Sequence, residues 1–120
     1  MHTKFFPEIE FNEVERIHIC TLTDFINSQE LENRRILLKI DAQGYEGLII
    51  DGALDIFDSV ICTFIELSIV QLYDGETTAL SILNKLSGLG HEIVDISRGI
   101  ESKFGNLLQI DVLTIKTSRK

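Results

Sequence analysis

Two short apolar runs, each closed by a carboxylate, constrain this chain more than anything else in it. Arg35-Ile36-Leu37-Leu38-Lys39-Ile40 stops at Asp41, and Val60-Ile61-Cys62-Thr63-Phe64-Ile65 stops at Glu66. Near-continuous apolar stretches of this length suit strands covered on both faces, as in parallel sheets. Parallel neighbours need a crossover between them. The intervening segment offers one, because Leu48, Ile49, Ala53, Ile56 and Phe57 recur at helical spacing, although Gly47 and Gly52 weaken the pattern.

The rest of the chain extends the alternation. Residues 1–16, with the single proline Pro7, read as an extended arm, and Arg16 to Cys20 as a short strand. Thr21-Leu22-Thr23-Asp24 has the capping-box spacing, hydroxyl first and carboxylate three later. Leu22, Phe25 and Ile26 then predict a short helix ending near Asn27 to Gln29. The clearest helix spans Thr77 to Leu89, with Ala79, Ile82, Leu83 and Leu86 on one face and Gly90 where a helix-terminating glycine belongs. Glu92 to Ile96 and Leu108 to Ile115 read as strands. The polar loop between them, with Gly99 and Gly105, is too short for a crossover helix, so they should be antiparallel neighbours. The expectation is one α/β domain over residues 17–120, with order β-α-β-α-β-α-β-β: a mostly parallel sheet with an antiparallel C-terminal hairpin.

Composition narrows the partners. With a formal charge of −8 and no basic stripe, the chain suits neither a nucleic-acid backbone nor an anionic membrane, both of which need a positive surface. No apolar run approaches the roughly 18 residues of a membrane span, and the N-terminus has no apolar core of a signal peptide. Cys20 and Cys62 both sit in apolar, β-branched runs and read as buried reduced thiols, which points to the cytoplasm. His2, His18 and His91 have no ligand-spaced partner, so no metal site is expected from them. Neither a nucleophile elbow nor a phosphate loop is present, and a receiver-like phosphorylation module would want an early acidic pair and a lysine at a later strand end.

The motif Leu38-Lys39-Ile40-Asp41-Ala42-Gln43-Gly44-Tyr45-Glu46, followed by Gly52-Ala53 and Phe64-Ile65-Glu66-Leu67, is similar to the signature of the FkbM family of class I, S-adenosylmethionine-dependent methyltransferases. The resemblance runs from about Thr21 to Ile115. It implies the C-terminal half of such an enzyme, a truncated Rossmann-like methyltransferase half-domain. The family usually carries an acidic residue where this chain has Gln43 and another where it has Thr23. In the family the cofactor lies on a glycine-rich turn after the first strand. No glycine precedes Gly44 here, and Gly88-Leu89-Gly90 ends a helix instead of opening one. The expectation is therefore that the chain binds S-adenosylmethionine poorly alone and works as a fragment or subunit for O-methyl transfer to a small-molecule or sugar hydroxyl.

Ligands of open α/β sheets bind outside the carboxyl ends of parallel strands, where Asp41 and Glu66 should fall with Glu46 between them. Such carboxylates can orient an acceptor hydroxyl, take its proton, or hold a divalent cation. The resemblance assigns Asp41, Glu46 and Glu66 to catalysis, and Asp41, Gln43 and Gly44 to the cofactor. The plainer alternatives are that Glu46 steadies a helix N-terminus, Asp41 caps a turn, and Glu66 is a solvated strand end. Tyr45 and Tyr73 read as packing residues. The rival to the enzyme is a non-catalytic module that oligomerises, as a homo-oligomer or with a complementing chain, through the open strand edge near Asp41 or through an exposed helix-facing surface of the sheet.

Overall fold

The computed structural model describes residues 13–70 and 78–117. Thr77 and Tyr73, and with Tyr73 its expected packing role, lie outside them. Helix α1 (Leu22–Ser28) begins where the capping spacing places it: the Thr21 hydroxyl accepts the Asp24 N–H at 3.0 Å. Strand β1 (Ile36–Ile40) follows, then α2 (Glu46–Asp51) and a 3₁₀ turn (Leu54–Ser59). The helical periodicity of this crossover thus breaks at Gly52. There α1 presses against the backbone: Thr23 N–H bonds the Gly52 carbonyl at 3.0 Å, and an added Cβ would stand 3.3 Å from the Thr21 Cβ.

Strand β2 (Val60–Ser68) leads to α3 (Ala79–Gly88), capped by the Thr78 hydroxyl and closed by Gly90 at φ 87°. Strands β3 (His91–Arg98) and β4 (Gln109–Lys116) form the C-terminal hairpin. The expected segment Arg16 to Cys20 forms no strand; residues 13–21 run exposed. An extended segment gains backbone bonds only through a neighbour, and this one pairs with none of the described residues.

The sheet order is β1-β2-β4-β3. β1 and β2 are parallel, β4 is antiparallel to β2, and β3 is antiparallel to β4. Three of the four strands therefore point the same way, but only one adjacent pair is parallel. The sheet is mixed rather than mostly parallel. The cause is the last strand, which inserts between β2 and β3. Its alternating Ile110, Val112 and Thr114 are buried and demand a central place, whereas every residue of β3 after His91 is exposed, as befits an edge.

The core lies on one face. Ile40, Ile65, Leu67, Ile110 and Val112 of the strands pack against Ile26, Ile50, Phe57, Ile82 and Leu86 of the helices and the 3₁₀ turn. The apolar runs are thus not covered on both sides among the described residues. Leu37 on β1 is 69% exposed, Ile115 on β4 is 46% exposed, and Cys62, Phe64 and Leu113 are half-buried on that same outer face. Both cysteines are free; Cys62 is half-buried and Cys20, on the unpaired segment, is exposed, contrary to its expected burial. Among the described residues no helix is long and apolar enough to cross a membrane.

Inside the core sits one polar chain. His91 Nε2 lies 2.9 Å from the Val60 carbonyl, its Nδ1 2.9 Å from the Thr114 hydroxyl, and that hydroxyl 2.5 Å from Thr63 Oγ1. One arrangement satisfies every member: Thr63 donates to Thr114, Thr114 donates to Nδ1, and Nε2–H donates to Val60. It requires a neutral imidazole, and burial lowers the His91 pKa below its ordinary value in agreement. His91 is therefore a core residue.

Candidate active site

Parallel pairing of β1 and β2 sets the geometry. Ile40 lies beside Ile65, so Asp41, the first residue beyond β1, comes level with Glu66. A hydrogen bond with Asp41 favours the protonated form of the Glu66 carboxyl. Glu66 is not a strand end as expected. It lies inside β2, which continues to Ser68, because Leu67 is fully buried and carries the ladder on. Its position on the outer face puts it directly across from Asp111 of β4.

Electrostatics follow from this crowding. Burial, the hydrogen bond and negative charge of Asp41, and the charges of Asp111 and Glu46 together push the Glu66 carboxyl up to about 7. A carboxyl poised there can accept a proton at neutral pH and return it, as a general base must.

Glu46 takes a different part. It is buried at the start of α2, where one carboxylate oxygen accepts the Ala42 N–H at 3.1 Å and the other the Gly44 N–H at 3.0 Å. The loop between β1 and α2 wraps around this side chain, with Gln43 at φ 51° and Gly44 at φ 107°. Glycine takes such a value freely, whereas Gln43 does so at a small cost. Glu46 is thus engaged as the loop's anchor, and it reaches Glu66 only through its charge.

Comparison with family models, with curated proteins and with solved structures gives no match. What this site does rests on its own geometry.

The residues assigned to the cofactor fit it poorly. A nucleotide cradle offers free backbone N–H groups on a glycine turn, but the donors of Ala42 and Gly44 are spent on Glu46, and Gln43 is exposed. Among the described residues no three His, Cys, Asp or Glu side chains are placed to hold a metal ion.

An open groove of about 790 Å³ runs between the segment before α1, α1 itself and α2, lined by Ile19, Cys20, Leu22, Phe25, Tyr45 and Leu48 among others. Tyr45, expected to pack, is 63% exposed there. None of the four carboxylates lines the groove; Tyr45 joins the two regions through its neighbour Glu46.

The sequence reading missed Asp111, Ser68 and Gln109. Their signal was present: Gln109-Ile110-Asp111-Val112 alternates polar and apolar, the mark of a strand with a polar face. Knowing that this face meets Glu66 requires the β2–β4 register, which spans about forty residues of chain.

Proposed function

We propose that the crevice at the carboxyl ends of β1 and β2 binds the acceptor hydroxyl of a methyl-transfer reaction, in a unit resembling the second half of a class I methyltransferase. Asp41, just beyond β1, standing level with Glu66 on the parallel neighbour β2 is the observation that carries this reading. The order helix, strand, antiparallel last strand at the C-terminus also supports it. In this reading the ionised Glu66 takes the hydroxyl proton, and burial together with neighbouring Asp41 and Asp111 makes its carboxylate a stronger base than an ordinary one. Positioning supplies most of the rate. Because the loop's own donors are filled, S-adenosylmethionine would be held by another segment or a complementing chain.

Isothermal titration with S-adenosylmethionine, repeated after mixing with candidate complementing chains, tests this. The expected outcome is no micromolar binding by these 120 residues alone and binding with methyl transfer once complemented. Transfer that survives Glu66→Gln undiminished would remove Glu66 from the reaction.

A second reading has its own observation. The outer face of the sheet and its β1 edge carry exposed apolar side chains, Leu37 foremost, and a strand with an unpaired edge recruits another chain. On that reading the chain is a non-catalytic module that associates through this face, as a homo-oligomer or with a different partner.

A further inference from the structure

The outer face of the sheet changes character along β2 and β4. Cys62 and Phe64 face Ile115 and Leu113, and then Glu66 and Ser68 face Asp111 and Gln109. Gln109 is 4% exposed, and its side-chain carbonyl has no hydrogen-bond partner among the described residues. It stands two residues before Asp111 and directly opposite Ser68, so strand alternation aims it to the same side as Glu66 and Asp111. A buried carbonyl left unpaired costs stability, and native proteins rarely keep one without a use.

Glu66 and Asp111 as carboxylates and the Gln109 carbonyl all accept hydrogen bonds. A ligand that satisfies them offers donors and positive charge. A metal ion would need the carboxylates to close on a point, and no such trio exists among the described residues. Directly paired residues stand about 5 Å apart across two strands, and next-but-one residues about 7 Å apart along one. The ligand must therefore spread its donors over several ångströms.

We propose that this crevice selects an acceptor bearing a primary ammonium group beside its hydroxyl, such as an amino sugar or amino alcohol. The ammonium lies between Glu66 and Asp111, and a further donor of the ligand meets the Gln109 carbonyl. The inference deepens the acceptor reading given above and names its substrate class. Binding is proton-linked: the Glu66 carboxyl must lose its proton before a cation can pair with it. The groups that raise Glu66 are acidic, Asp41 beyond β1, Asp111 on β4 and Glu46 on α2, while Lys39 of β1, level with Phe64, stands on the same outer face one diagonal away. With the Glu66 carboxyl at about 7, affinity falls up to tenfold for each pH unit below that value.

The test is equilibrium binding of glucosamine and of glucose, as probes, to the full chain by NMR titration at pH 6 and pH 8. Referred to its ammonium form, glucosamine should bind at least tenfold more tightly than glucose at pH 8 and lose about tenfold at pH 6, and calorimetry at pH 6 in buffers of different ionisation enthalpy should show release of close to one proton. Asp111→Asn should weaken it tenfold, whereas Asp95→Asn, an equal charge change on β3, should leave it unchanged. Gln109→Met removes the unpaired carbonyl, so it should raise the melting temperature while weakening glucosamine at least threefold. Equal binding of both sugars, equal loss in Asp95→Asn, or displacement of glucosamine by millimolar Ca²⁺ would overturn the assignment. Binding without any methyl transfer on complementation would leave the assignment standing and refute the transferase reading.

Discussion

Glu66 and His91 titrate in opposite senses, and each leaves a separate mark on stability. The Glu66 carboxyl is raised from 4.5 to about 7, so the folded chain holds a proton that the unfolded chain has lost. That contribution is full below pH 4.5 and is lost as pH rises through 7. His91 is lowered from 6.5, so its contribution is present above that value and lost as pH falls below it. Glu66→Gln should therefore flatten the loss between pH 5 and pH 8 by about 1–2 kcal/mol, a figure reduced because the cluster is partly open to water. Urea unfolding at both pH values measures this, and the variant should then show the His91 slope, stability rising from pH 5 to pH 6.5. Thr114→Val removes the donor to His91 Nδ1 and the acceptor of Thr63 in a fully buried chain. It should cost about 1–3 kcal/mol at pH 7 by the same measurement.

At the scale of elements, the hairpin depends on one close approach. A Cβ on Gly99 would stand 2.7 Å from the Gln109 carbonyl oxygen, which is backbone and cannot move without separating β3 from β4. Gly99→Ala should destabilise the fold by about 1–3 kcal/mol and raise amide exchange in β3 before β2, as hydrogen-exchange NMR would show. Most elements were legible in the chain. Thr21, the apolar run to Ile40, the α3 stripe and Gly90 each carry a local signal, and the terminal strands proved antiparallel neighbours. Strand order was not legible, because the insertion of β4 is decided by which strand has more to bury, a property of the whole sheet. The carboxylate at Asp41 was legible from its place after an apolar run. Glu46 looked equally catalytic, because nothing in the spacing reveals that a loop closes on both its oxygens.

Across the whole molecule, helices cover one face of the sheet while the other keeps Leu37, Phe64, Leu113 and Ile115 at least partly open. Apolar surface joined to an unpaired edge favours association. Sedimentation velocity should show a dimer or larger species at micromolar concentration, and Leu37→Lys should shift it toward monomer by at least tenfold in dissociation constant. A clean monomer in the unaltered chain would retire the oligomer reading. Acceptor binding, proton linkage and the pH profile of stability all descend from Asp41 and Glu66 meeting across one parallel strand pair, where the Glu66 carboxyl is raised. Carbon-13 NMR of the side-chain carboxyls, followed from pH 3 to pH 9, tests that pairing most directly. The predicted result is a Glu66 midpoint near 7 that moves down toward its ordinary value in Asp41→Asn. A Glu66 midpoint near 4.5, unmoved in Asp41→Asn, would contradict it.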